Sequence, residues 1–221
     1  MPRIARIVLP NTPHLVAQRG NRSERLFFSA NDRARYLEIL SEQLKSHRVK
    51  AWAYRLEPAE VFLVLVPPDA DSMGLALRNA HGRYSQLINR RQGTTGHLFQ
   101  GRFYSCPVDE EYLALAVRYV ERFAGELPPQ TRSSAAPHCR RGGKGPGLLA
   151  RDLPLLKSVR SWRAWLGEPM DKAALRHLLS RLRVGKPAGS RAFVRRIEAM
   201  TGLNLSRGRG RPRKQQGRSQ D

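Results

Sequence analysis

The 221-residue sequence has no run near the roughly 18 apolar residues that a membrane-spanning helix needs. No apolar stretch follows the charged start Met1-Pro2-Arg3-Ile4-Ala5-Arg6, so no secretory leader is expected there. Cysteine is scarce. Cys106 and Cys139 stand in unrelated contexts and make neither a metal-binding pair nor a disulfide framework, which fits a reducing cytoplasm. Gly20, Gly96 and Gly101 lie near arginines, yet no phosphate loop or dinucleotide fingerprint surrounds them. Acidic residues are also few: 18 Asp and Glu against 40 Lys and Arg, a formal net charge of +22.

A surplus of that size repels itself, and a polyanion relieves the repulsion through counterion release. The excess is mostly arginine, whose planar fork suits phosphate and base edges better than an ammonium does. Nucleic acid is therefore the expected partner. Hydrophobic residues make up 40% of the chain, enough for a core and too many for disorder throughout.

The first 125 residues alternate between strand and helix patterns. Thr12 to Gln18 reads as a strand, followed by a basic loop through Arg19 and Arg22. Ser29-Ala30-Asn31-Asp32 offers capping chemistry for a helix to about His47, with Tyr36, Leu37, Leu40 and Leu44 at helical spacing. Val49–Leu56 and Glu60–Val66 read as a hairpin closed by Glu57-Pro58-Ala59. Asp71 to Arg91 reads as a second helix with Leu75, Leu77, Ala80, Tyr84, Leu87 and Ile88 inward and Arg78, Arg83, Arg90 and Arg91 on a basic side. His97 to Pro107 is a strand candidate carrying Arg102, and Asp109-Glu110-Glu111 suits the start of a helix through Phe123. The order β-α-β-β-α-β-α predicts an α+β fold: a ferredoxin-like antiparallel sheet with packed helices. Many activities share that layout.

Residues 1–126 form the expected main domain and residues 127–147, rich in Pro, Gly and Ser, a linker. Residues 148–205 read as a small helical extension, with Trp162 and Trp165 in its core and Phe193, Val194, Ile197 and Met200 on its last helix. Residues 206–221 form a basic tail. Its Arg209-Gly210-Arg211-Pro212-Arg213 resembles an AT-hook, in which glycine lets the backbone approach and arginines enter a narrow A·T minor groove.

An ordered set of words runs through the main domain: Pro2-Arg3-Ile4-Ala5-Arg6-Ile7-Val8, Gln18-Arg19-Gly20-Asn21-Arg22, Trp52-Ala53-Tyr54, Ile88-Asn89-Arg90-Arg91-Gln92-Gly93, Gly96-His97-Leu98-Phe99-Gln100-Gly101-Arg102-Phe103 and Val117-Arg118-Tyr119-Val120-Glu121-Arg122. Together they resemble the REP-associated tyrosine transposases, a branch of the HUH single-strand DNA transposases. The helical extension and the basic end also look like that family's C-terminal extension. The resemblance implies a bacterial, cytoplasmic, nucleoid-associated protein whose partner is hairpin-forming single-stranded DNA from repeated extragenic palindromes. It places Tyr119 at the nucleophile position, where the phenol oxygen attacks a metal-polarised phosphate to give a phosphotyrosine link.

The metal shell departs from the family. Where members read Met-Pro-Asn-His-hydrophobic-His, this chain reads Glu57-Pro58-Ala59-Glu60-Val61-Phe62. The ligand positions are thus held by Glu60 and Phe62, and the polar residue four after the tyrosine is Phe123. Phenyl rings bind no metal, and one carboxylate rarely holds Mg²⁺ or Mn²⁺ alone. Phe62 and Phe123 are expected to pack together and fill the site. No cofactor is expected, and a divalent metal enters only if the family activity survives. The reading is a hairpin-binding protein with cleavage lost. Its alternatives are an active transposase working through Tyr119 and a regulator of RNA hairpins. Candidate nucleic-acid contacts are Arg19, Arg22, Arg78, Arg83, Arg90, Arg91, Arg102, Arg209, Arg211 and Arg213. His14 and His97 read as structural or phosphate-contacting residues rather than metal ligands.

Overall fold

A computed structural model of the chain describes residues 6–122, 128–129, 131–140 and 147–205. Phe123 and the tail arginines Arg209, Arg211 and Arg213 lie outside the described residues. The elements in order are β1 (His14–Arg19), α1 (Ala30–Ser46), β2 (Lys50–Glu57), β3 (Glu60–Val66), α2 (Ser72–Gln92), β4 (Tyr104–Pro107), α3 (Glu110–Glu121), α4 (Ala135–Cys139), α5 (Leu155–Ser158), α6 (Trp162–Gly167), α7 (Lys172–Val184) and α8 (Arg191–Thr201).

The sheet has the order β2-β3-β1-β4 and is antiparallel throughout, which is the ferredoxin-like arrangement expected. Strand alternation sorts its side chains onto two faces. Val61, Leu63 and Leu65 meet Tyr36 and Leu40 of α1 and Leu77 and Tyr84 of α2. Phe62, Val64 and Val66 face Val117 of α3, Leu166 of α6, and Leu178 and Leu182 of α7. The apolar residues of the helical extension therefore complete the second layer of the sheet rather than a core of their own. Among the described residues, Phe193 and Ile197 of α8 form a separate cluster with Ile7, Leu9 and Leu205.

Local chemistry fixes the helix ends. Ser29 Oγ accepts from Asp32 N at 3.2 Å while Asp32 Oδ2 accepts from Ser29 N at 2.9 Å, a reciprocal capping box. Gly93 ends α2 in the left-handed region, at φ 64°.

Four details differ from the sequence reading. The strand expected over His97–Pro107 is only Tyr104–Pro107, because Gly96 and Gly101 take positive φ and break the extended run. Phe99 instead bridges to Gly20 and stacks on His81 at 4.2 Å. Within the stretch read as linker, residues 135–139 form α4, and Ala135, Ala136, Pro137 and His138 are buried. Leu75, expected inward, points outward and is 38% exposed. The hairpin turn is two residues, Pro58-Ala59, with Glu57 paired to Glu60.

Candidate tyrosine site and nucleic-acid interface

The two-residue turn sets the register of β2 against β3 and puts Arg55 opposite Phe62. Alternation carries Glu60 and Phe62 to the face under α3. That helix buries Leu113, Ala116, Val117 and Val120, and the same packing turns Tyr119 down toward the strand. The Phe62 and Tyr119 rings meet edge to face, with centroids 5.5 Å apart. The Arg55 guanidinium lies 4.7 Å from the Phe62 centroid and 5.2 Å from that of Tyr119. It also donates to Arg122 O at 3.3 Å and pairs with Glu57 at 3.5 Å.

Glu60 is already neutralised: Arg19 Nε stands 2.5 Å from its Oε1. Burial raises the pKa of the Tyr119 phenol and Glu60 adds to the rise, while Arg55 and Arg19 oppose it. The phenol is therefore harder to ionise than a free tyrosine.

The family's metal does not fit this donor set. Phe62 offers no lone pair, and the one carboxylate at the ligand positions already has a guanidinium partner. Among the described residues, no three His, Cys, Asp or Glu side chains come together as a metal-holding group. The contact expected between Phe62 and Phe123 lies outside the described residues; Phe62 packs on Tyr119 and Arg55.

The sequence reading missed the anchor of α3. Glu121 is fully buried and accepts from Ser134 Oγ, from Trp162 Nε1 at 2.6 Å and from His138 Nδ1 at 2.6 Å. This knot ties α3, α4 and α6 together two residues after Tyr119. Arg55 was missed as well, although counting back from a Pro-Ala turn pairs it with Phe62. Glu121 carried no comparable signal, because its partners lie in segments distant along the chain.

The candidate arginines divide by their engagements. The loop end of the sheet gathers Arg19, Glu57, Glu60 and Tyr104, the α1 start and the α2 end. Arg22, Arg90 and Arg102 lie exposed at that end. Arg91 also lies there, but its Nη2 donates to the buried Asp32 at 3.1 Å, joining α2 to the capping box of α1. Arg83 pairs with Glu42 at 2.7 Å. Arg78 is exposed but sits twelve residues before Arg90, about 18 Å along the helix. Beside the exposed arginines runs a groove lined by Asn21, His81, Gly82, Gly96, His97 and Gly101. His14 is structural: its Nε2 accepts from Leu9 N at 3.2 Å, its Nδ1 donates to Thr12 O at 2.8 Å, and burial lowers its pKa to about 4.

Among the described residues no helix is long and apolar enough to cross a membrane. A comparison with curated proteins finds no match. Among solved structures, the chain is similar to a REP-associated tyrosine transposase in complex with a REP hairpin, at 14% identity and a TM-score of 0.53, over 69% of this chain and 93% of that one. It is also similar, at 20% identity and a TM-score of 0.33, to a protein from Deinococcus radiodurans R1 assigned as a transposase, over 55% of this chain and 96% of that one. The model of the family described as "Transposase IS200 like" matches residues 11–122, which contain the whole sheet, Glu60, Phe62 and Tyr119. On that match the chain belongs to the IS200-like transposase family.

Proposed function

We propose that this chain is a REP-associated-type transposase that binds hairpin-forming single-stranded DNA and no longer cuts it. One observation carries the reading. At the positions where the family holds its metal, Phe62 packs on Tyr119 under the Arg55 guanidinium, and Glu60 is paired with Arg19. The neighbouring end of the sheet keeps Arg22, Arg90 and Arg102 exposed. Binding thus loses nothing where cleavage loses its Lewis acid.

The solved relative with the same fold was captured on a REP hairpin, which supports a hairpin as the partner. A stem offers phosphates to the arginines, and unpaired bases suit the groove beside His81 and Phe99. The tail residues Arg209, Arg211 and Arg213 add contacts to A·T-rich flanks, as an AT-hook does. The setting is the bacterial cytoplasm, on the nucleoid.

Fluorescence anisotropy with a labelled DNA hairpin tests this. Tight, salt-sensitive binding is expected, weaker for a scrambled strand of equal length and for an RNA hairpin of the same sequence. Equal affinity for all three would overturn hairpin recognition, and preference for RNA would favour the RNA-regulator reading.

A further inference from the structure

We propose that the outward face of α8 is a second DNA-binding surface, which enters the major groove of a B-form duplex at the end of the molecule opposite the hairpin interface.

Helix α8 is two-sided. Phe193 and Ile197 are buried against Ile7, Leu9 and Leu205. A turn of 100° per residue brings Arg191, Ala192, Arg195 and Ala199 to the other side, and all four are exposed. The alanines keep this face low, so the helix can approach a groove floor. The arginines carry the forked donors that suit phosphates and guanine edges. Neither Arg191 nor Arg195 forms an ion pair among the described residues. Arg196 flanks the face, 5.5 Å from the Phe193 ring centroid.

The surrounding charge has one sign. Residues 172–205 hold eight Lys and Arg and a single acid, Glu198. Glu198 Oε1 accepts from Leu205 N at 2.7 Å, so its carboxylate is committed to the anchored side. Glu110 and Glu111 at the start of α3 border the groove beside Arg196 and limit the basic surface there.

The helix is held rigidly. In the turn before it, Ala188 N donates to Pro107 O at 3.0 Å and Ser190 N to Asp109 Oδ2 at 2.6 Å. A Cβ on Gly189 would lie 2.6 Å from that same Asp109 oxygen and 2.6 Å from Phe193 Cδ1, so a side chain there would have to displace the Asp109–Ser190 bond or the Phe193 ring. A preset helix keeps the ordering cost of binding low. Its 11 residues span about 16 Å, and a B-form major groove is about 12 Å wide and admits a helix.

Position separates this face from the hairpin interface. The turn before α8 is bonded to Pro107 and Asp109, at the end of the sheet where β1 begins, whereas Arg19 and Arg22 lie where β1 ends. A six-residue strand puts the two ends about 20 Å apart. One chain can thus hold a hairpin and a separate duplex together.

The test uses the full chain, its R191A/R195A and R191E/R195E variants, a 24-base-pair DNA duplex and a short-stem DNA hairpin, all read by anisotropy across a salt series. The expected result is a loss of about tenfold or more in duplex affinity for R191A/R195A, a larger loss for R191E/R195E, and a flatter salt dependence. Hairpin affinity should stay within about twofold of wild type in both variants. Duplex affinity within about twofold of wild type in R191A/R195A would overturn the proposal. So would parallel loss of hairpin and duplex, or competition by duplex RNA equal to that of DNA, since the A-form major groove excludes a helix. Failure of the hairpin reading has a separate sign, a wild-type chain that ignores the hairpin, and leaves the duplex titration as the test of α8.

Discussion

The Phe62 ring points at the Tyr119 ring with an interplanar angle of 86°, and Arg55 spans both. Phe62 is 6% exposed, so Phe62→Ala leaves a cavity under α3. A loss of about 3 kcal/mol in unfolding free energy is expected, measured by urea denaturation. Tyr119→Phe removes only the phenol oxygen and keeps the ring contacts with Phe62 and Arg55, so it should cost no more than about 1 kcal/mol with hairpin affinity unchanged.

Neighbouring arginines at the end of α2 should behave differently. Arg91 is bonded to the buried Asp32 inside a helix cap, while Arg90 is exposed at the proposed interface. Arg91→Ala should lower the melting temperature, and Arg90→Ala should weaken hairpin binding several-fold with the melting temperature unchanged. The reverse pattern would misplace the interface.

The buried carboxylate of Glu121 serves three donors. Glu121→Ala leaves Ser134, His138 and Trp162 unsatisfied in the interior and should cost about 3 kcal/mol or more. Glu121→Gln keeps the shape and some of the acceptors, so its loss should be smaller. Differential scanning calorimetry of the two variants measures the difference.

Two histidines, His14 buried in the core and His81 part-buried beside the groove, make the fold acid-sensitive. Burial lowers the pKa of His14 to about 4, and that of His81, packed against Phe99 and Tyr36, to about 3, from an ordinary value of 6.5. The unfolded chain takes up these protons first. Their contribution to stability is therefore complete above about pH 6.5 and is lost progressively as the pH falls toward 4 and 3. For His14 the clash is specific, because a proton on Nε2 would face the Leu9 N–H. Urea midpoints should fall between pH 7 and pH 5, and His14→Gln should flatten that slope.

Much of this was legible in the sequence because it rests on local rules. The capping chemistry at Ser29, the hairpin of Val49–Leu56 with Glu60–Val66 and the shared face of positions 60 and 62 follow from spacing alone, whereas the reading of those two positions as former ligand sites rests on the family resemblance. What stayed hidden depends on contacts between distant segments. Nothing near Glu121 announces that Ser134, His138 and Trp162 will surround it. Arg83 and Arg91 read as one basic stripe with Arg90 until their partners Glu42 and Asp32 are seen. The apolar residues of α6 and α7 read as a core of their own because one chain segment cannot reveal that the sheet has a second open face.

The central claim is that the tyrosine site is closed to metal-dependent cleavage. An end-labelled DNA hairpin with single-stranded flanks, incubated with the full chain and Mg²⁺ or Mn²⁺ and run on a denaturing gel, tests it directly. The strand should remain intact and unattached at protein concentrations that saturate binding. A covalent protein–DNA adduct that appears with wild type and vanishes with Tyr119→Phe would contradict the account.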